Sequence, residues 1–228
     1  MVKKKKKKKR SSNKRLVGCI IFLIPAIFIL YFFVFQAWAQ LKALPVFEQI
    51  FHEKTAEELV MENFDLPMPL EYVPIYQAAA ETYNVPWTLL AAHHRVETRF
   101  STMKTDVSPV GAEGPMQFMP CTFVGWSHPS CEDLGVGDIP NADKTNPSII
   151  AKYGGYGVDG NYDGVADPFN LYDAMYSAAK FLSIAGVKDG DLPKAIYQYN
   201  HSYDYVADIL YYYELYTSYE DELLALVQ

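Results

Sequence analysis

Apolar and polar positions divide the chain into one long uncharged run followed by shorter amphipathic segments. Leu16 to Trp38 holds 23 residues without a charge. As a helix rising ~1.5 Å per residue it would span ~34 Å, enough to cross ~30 Å of hydrocarbon. Pro25 stands where it can kink such a helix, and Tyr31 and Trp38 suit its outer interface. Between Pro45 and Asn63, apolar residues recur at Phe47, Ile50, Phe51, Leu59 and Val60, which predicts a juxtamembrane helix. Leu66-Pro67-Met68-Pro69 breaks it and marks the start of a folded domain near residue 70. Helices are predicted over Glu71–Tyr83, from Val85-Pro86-Trp87 to about Phe100, and over Asp173–Ala185 and Asp191–Tyr199. A Tyr-rich amphipathic helix is predicted over Tyr203–Val227, and a Gly/Pro-rich region with short helices fills the stretch up to residue 170. There is no internal repeat and no sustained alternation, so the predicted fold class is mostly α.

Charge changes the picture of the N-terminus. Residues 1–15 carry ten of the 20 Lys and Arg and no acid, whereas the remainder carries ten bases against all 27 acids, a balance of −17. The positive-inside rule then predicts a cytoplasmic tail at 1–15 and a single transmembrane helix at 16–38. A juxtamembrane helix and linker follow at 39–69, and an exported domain at 70–228. A cleaved signal peptide is the competing reading, because Ala37-Trp38-Ala39 resembles a cleavage site. Signal peptides use only ~7–15 apolar residues, so the length of this run favours an uncleaved anchor. A domain this acidic is a poor nucleic-acid binder, and the basic block reads as an orientation signal in contact with anionic lipid. Half of the residues are hydrophobic and 15% are aromatic, which excludes wholesale disorder. Cys19 falls in the apolar run; Cys121 and Cys131, ten residues apart in an exported region, are either a disulfide or two thiols. No CxxC or Cys/His cluster supports a zinc site.

Candidate chemistry begins at Glu97, near the end of a helix whose other face is apolar. A lone glutamate is usually a surface residue, but the sequence around this one is distinctive. Glu97-Thr98-Arg99-Phe100 is followed by Ser108-Pro109-Val110-Gly111-Ala112-Glu113-Gly114-Pro115-Met116-Gln117-Phe118-Met119-Pro120, and later by Ala195-Ile196-Tyr197-Gln198-Tyr199-Asn200-His201-Ser202. These three blocks, in this order, resemble the lysozyme-like lytic transglycosylases that cut bacterial peptidoglycan. The likeness covers about residues 70–210 and implies a goose-type lysozyme/lytic transglycosylase domain. The first family block ends in Glu-Ser, and Thr98 here keeps the hydroxyl. The second, Gly-x-Met-Gln, lies at Gly114–Gln117, and its Gly-Pro-Met-Gln-Phe-Met-Pro form is similar to the membrane-bound branch. The third, Tyr-Asn, is Tyr199-Asn200.

Physical chemistry asks for the same kind of group. Breaking a glycosidic bond requires protonation of a poor leaving group, which a carboxylic acid delivers when burial raises its pKa towards neutrality. Most glycosidases add a second carboxylate as nucleophile or base. Asp106 and Glu113 are the nearby candidates, and neither matches a family motif. The resemblance implies instead that Glu97 alone is catalytic. It would first protonate the scissile oxygen and then take the proton of the muramic acid 6-hydroxyl, which attacks C1 to give a 1,6-anhydro sugar. Ser108, Met116, Gln117, Tyr199, Asn200 and Tyr205 are the implied substrate-binding residues, with Tyr199 also placed to position Glu97. Core packing is the alternative for the tyrosines, and a structural hydrogen bond for Gln117. His93 and His94 read as structural.

A second constellation is Asp159-Gly160-Asn161-Tyr162-Asp163-Gly164-Val165. Oxygen side chains at positions 1, 3 and 5, glycine at 6 and a backbone carbonyl at 7 match the start of an EF-hand calcium loop. Position 12 is Asn170 rather than Glu. The resembling branch has a lengthened loop, which implies Asp173 as the last ligand of a structural Ca²⁺ formed by Asp159, Asn161, Asp163, Val165 and Asp173. The alternative is an Asx-rich turn that binds nothing. The functional expectation is thus a membrane-anchored peptidoglycan lytic transglycosylase at the extracytoplasmic face of a bacterial cell membrane. A hydrolytic muramidase of the same fold is the first alternative, and a non-catalytic wall-binding scaffold the second.

Overall fold

The structure, a computed structural model, describes residues 13–42, 54–132 and 134–227, with side chains in the first helix described from residue 27. The described residues are mostly helical and contain no strand, only isolated bridges pairing Glu113 with Val107 and with Phe118. The chain divides into two units, residues 1–54 and 55–228.

The first unit contains α1 (Asn13–Lys42). Its large apolar side chains from Ile27 to Phe35, with Trp38 and Leu41, are exposed. Among the described residues no helix is long and apolar enough to cross a membrane. The apolar run read from the sequence begins at residue 16, so its first part, with Cys19, lies outside the described side chains.

The second unit holds α2 (Ala56–Asn63), α3 (Val73–Tyr83), α4 (Trp87–Thr98), α5 (Pro120–Val124), α6 (Asn141–Lys144), α7 (Pro147–Tyr153), α8 (Leu171–Ala185), α9 (Leu192–Tyr199), α10 (Tyr203–Ser218) and α11 (Glu220–Ala225). It reaches back past residue 70 to Thr55. The reason is burial: Val60, Phe64 and Met68 enter the core, and α2 packs on α11. Residues 43–53, the first part of the juxtamembrane helix expected from the sequence, lie outside the described residues.

Helix α4 is the centre, packed by α10 and α3, while α8 packs on α3 and α9. Its Leu and Ala residues are strong helix formers, and the fully buried Ala91 and Ala92 permit close approach of neighbouring helices. It stops at Thr98 rather than near Phe100, because Arg99, Phe100 and Ser101 take left-handed φ values of 52°, 59° and 61°. The long C-terminal helix expected from the sequence is interrupted at Tyr219, where Glu220 starts α11 and accepts a 2.5 Å hydrogen bond from the Trp87 indole. Cys121 and Cys131 form a disulfide, with Cα atoms 5.6 Å apart. It ties α5 to the loop that follows it.

Gly114 locks the Gly-Pro-Met-Gln loop against the rest of the domain. Its φ is +73°, and a Cβ there would lie 1.8 Å from the Pro168 carbonyl oxygen. Gly154 has nearly the same φ, +74°, but open space around it. Gly154→Ala is expected to cost about 1 kcal/mol, and Gly114→Ala about 2–4 kcal/mol because backbone must also move. In a domain of this size that difference is roughly 5–10 °C in Tm. Paired thermal melts of the two variants check it, and equal shifts would refute the packing argument.

Candidate active site

Three segments converge on Glu97. It lies in the last turn of α4, half-buried, and the Tyr205 hydroxyl from α10 donates to its Oε1 at 2.5 Å. Burial pushes the carboxyl up to about 7, against a smaller opposing effect of the Tyr205 hydrogen bond. Carboxyl and phenol therefore share one desolvated site, and burial together with the Glu97 charge also raises Tyr205 and Tyr199.

The motif loop is held to this site through its backbone. Thr98 Oγ1 donates to the Pro115 carbonyl at 2.9 Å, and the Tyr199 hydroxyl donates to the Met116 carbonyl at 2.8 Å. Thr98 thus uses its hydroxyl to fix the loop that carries Gln117. Tyr199, expected to position Glu97, bonds Met116 instead; Tyr205 is the residue that holds the carboxyl. Met116 is fully buried, so its side chain packs in the core and does not line a surface for substrate. Gln117 has a left-handed φ of 48° and donates from Nε2 to the Gly114 carbonyl at 2.8 Å. Its Oε1 has no hydrogen-bond partner among the described residues. Gln117, Phe118, Met119, Thr122, Phe181 and Tyr199 line a small open cavity of about 50 Å³.

The remaining expected contacts make local interactions. Ser108 closes a tight turn, its Oγ accepting from Ala112 N at 3.0 Å, which leaves the hydroxyl proton free to donate. Asn200 caps the C-terminal end of α9 and is exposed. Glu113 is not free to act as a second base, because Lys144 Nζ donates to both of its oxygens at 2.6 Å. Asp106 is exposed and contributes its backbone carbonyl to Gly114 N at 2.7 Å.

Sequence reading understated the two histidines. His94 bridges the Tyr76 hydroxyl and Ser101 Oγ, both at 2.7 Å, and burial lowers it to about 3, so it is a neutral donor–acceptor strut. His93 is fully buried, lowered by desolvation to about 4, and its ring stands edge-on to Tyr199 and Tyr205 at 5.0 and 5.9 Å. It is a wedge that fixes both phenols. No local signal marks this role, because residues 88–99 contain no Phe, Tyr or Trp and the ring partners Tyr199 and Tyr205 lie far along the chain.

The Asp-rich loop folds on its own backbone. Asp173 is fully buried and accepts from Gly160 N, Asn161 N and Asp167 N at 2.8, 3.3 and 2.8 Å. Asp159 accepts from Asp163 N and Gly164 N, and Asp163 accepts from Val165 N. Burial first, and the Asp159 charge among lesser causes, raises Asp173. Among the described residues no group of three or more His, Cys, Asp or Glu converges to hold a metal ion. The donor set still suits a hard cation in kind: three carboxylates, an amide oxygen and a backbone carbonyl on one short loop.

The raised Glu97 carboxyl makes stability depend on pH. Its folded pKa, about 7, exceeds the ordinary value of 4.5. Its contribution is therefore fully present below pH 4.5 and is lost as pH rises through about 7. Glu97→Gln removes this dependence. Its Tm is expected to track the parent at low pH and exceed it at pH 8, by an amount equivalent to about 2–3 kcal/mol. Melts from pH 4 to pH 8 test this, and parallel curves would show that the carboxyl is not desolvated.

No protein-family model matches this chain, and no curated protein and no solved structure matches it at a significant level.

Proposed function

We propose that this chain is a peptidoglycan lytic transglycosylase, tethered to a bacterial membrane by residues 16–38 with its catalytic domain outside. The observation that carries the reading is Glu97: one half-buried carboxyl raised to about 7 and held by Tyr205, beside a motif loop whose own carboxylate is committed to Lys144. Near neutral pH such a group is present in both protonation states, which is what one residue needs to act as acid and then base. Protonated Glu97 gives its proton to the glycosidic oxygen as the C1–O bond breaks. The muramic acid N-acetyl group stabilises the positive charge left at C1. The Glu97 carboxylate, supported by the Tyr205 hydroxyl, then accepts the 6-hydroxyl proton as that oxygen bonds to C1. The product carries a 1,6-anhydro end, and Glu97 is protonated again.

Glu97→Gln is expected to lower wall cleavage by roughly 10²–10⁴-fold with the fold intact. Mass analysis of the parent's products should find ends one water lighter than hydrolysed ones. Hydrated ends would make the enzyme a muramidase, and a parent that binds wall but cuts nothing would leave only the scaffold reading. Retention of roughly a tenth of the activity in Glu97→Gln would remove Glu97 from the acid role.

The Asp-rich loop supports a structural Ca²⁺ held by Asp159, Asn161, Asp163, the Val165 carbonyl and Asp173, with no part in the chemistry. A cation there would offset the repulsion between Asp159 and Asp173. Calcium in hundredfold excess over its Kd would add about 2.7 kcal/mol, or roughly 5–10 °C in Tm. Asp163→Ala should abolish the response. An equal calcium shift in parent and variant, or none in either, reduces the loop to a turn.

A further inference from the structure

His93 carries a buried acceptor with nothing to accept. Its Nδ1 lies 3.0 Å from the Leu89 carbonyl, one turn back along α4. A carbonyl oxygen only accepts, so the ring proton sits on Nδ1, and in a neutral imidazole Nε2 is then a bare lone pair. Desolvation keeps the ring neutral, lowering it to about 4. The Nε2 atom is closed off from solvent and has no hydrogen-bond partner among the described residues. An unpaired buried acceptor is destabilising, and an apolar side chain would fill the same place without that penalty.

The surroundings of the ring point to what the lone pair acts on. Residues four apart share a helix face, so His93 stands one turn before Glu97 on α4. The ring meets Tyr199 and Tyr205 edge-on, at 5.0 and 5.9 Å. These are the phenols that secure the site, Tyr205 on Glu97 Oε1 and Tyr199 on the Met116 carbonyl. The positive Nδ1–H end of the imidazole is taken by Leu89, behind it on the helix. Its uncompensated negative end is left to the pocket shared with the carboxyl and the phenols. Away from water, such an end opposes a second negative charge and offers a carboxylate no donor.

The groups that neighbouring elements bring to this pocket are neutral. Helix α10 presents Tyr205, α9 presents Tyr199, and α8 presents Phe181, packed on Tyr199 at 5.0 Å. Tyr76 of α3 is bonded to the neutral His94. The nearby charges are engaged elsewhere, Arg95 by Asp65 and Glu113 by Lys144.

We propose that His93 is a positioning residue for the acid–base step: its ring wedges Tyr205 onto Glu97 and Tyr199 onto the motif loop, while its bare Nε2 keeps the proton of the site on the carboxyl. The inference rests on the reading of Glu97 as acid and then base, and names the side chain that sets how tightly that proton is held.

His93→Phe keeps an edge-on ring and removes the lone pair; His93→Leu, which is smaller, stands in should the larger ring not fit. Full-length protein in detergent, with ¹³C in its glutamate carboxyls and ¹⁵N in its histidine rings, is titrated by NMR, with Glu97→Gln assigning the carboxyl signal. Melting curves matched to the parent show which variants fold. The proton affinity of Glu97 is expected to fall about tenfold in the apolar variants. The high-pH limb of kcat/KM on wall glycan should move to lower pH by the same factor, with KM unchanged. In the parent, His93 Nε2 should carry no proton between pH 5 and pH 8, a readout that needs no variant to fold. An unmoved Glu97 midpoint in a folded apolar variant, or a proton on Nε2 in the parent, would overturn the role of His93 and leave the cleavage reading intact. A Glu97 midpoint that falls in the variants of a parent that cuts no wall would uphold the control of the proton and sink the cleavage reading.

Discussion

The burial of helix α4 is the constraint on which the remaining structure depends. Of its twelve residues, only Val96 and Glu97 are not buried. A helix enclosed to this extent must match most of the polar groups it carries, and among the described residues only His93 Nε2 and Arg95 Nε are buried without a hydrogen-bond partner; the matches tie it to different parts of the chain. Thr88 meets Thr217 of α10 at 2.9 Å, and His94 meets Tyr76 of α3. Arg95, 6% exposed at its side chain, reaches Asp65 at 2.5 Å and lies over the Tyr212 ring. Thr98 takes the motif loop. Removing one partner from a buried pair leaves a stranded group, at a cost of about 1–3 kcal/mol where it is neutral; Asp65 is 61% exposed, so its pair with Arg95 is only half buried. The polar residues of α4 therefore fix which neighbour sits where, while its apolar residues supply the burial.

Ending that helix is costly in its own right. Three consecutive non-glycine residues in left-handed conformation carry about 1–2 kcal/mol of strain each. The turn is nevertheless secured at several points. Phe100 is buried at 2% exposure against His94 and Tyr216, Phe100 N returns to the His94 carbonyl, and Ser101 N caps on Thr98 Oγ1. The neutral His94 closes the arrangement through Ser101 Oγ. The result is a sharp exit directly after Thr98, so the chain does not continue over the Glu97 carboxyl. Strain of this kind next to a desolvated acid is a common arrangement at functional sites.

Much of this was legible in the residues themselves. Pro86 ahead of an apolar run marked the start of α4, and the helix expected from Asp191 begins one residue later at Leu192, with Asp191 as its cap. Glu97, Gln117 and Tyr199 stood out as candidates, and the structure gathers their backbone segments around one site. Three things stayed hidden for physical reasons. The left-handed turn at Arg99–Ser101 contains no glycine, and its cause is the tertiary burial of Phe100, which has no local signature. The partner of Glu97 is Tyr205 rather than Tyr199, a choice made by how α10 lies against α4 and not by spacing along the chain. The membership of α2 in the compact unit follows from Phe64 and Asp65 meeting residues far along the sequence.

The acidity of the domain does not account for the behaviour of Glu97. A balance of −17 would raise carboxyl pKa values broadly, but exposed charges are screened within about 8 Å at physiological salt. The effects acting on Glu97 are its own desolvation and one hydroxyl, with no charged neighbour among them. This places control of its proton in the packing of α4 against α10. The same logic bears on the nucleophile. With Glu113 closed by Lys144, the motif loop offers no free second carboxylate to activate water. On the proposed reading the acceptor at C1 is deprotonated by Glu97 itself, after it has given up its first proton. A hydroxyl already tethered to the reacting sugar has an advantage over bulk water in that second step. It arrives with its translational freedom already lost, a difference worth up to about 7–11 kcal/mol in well-oriented intramolecular reactions.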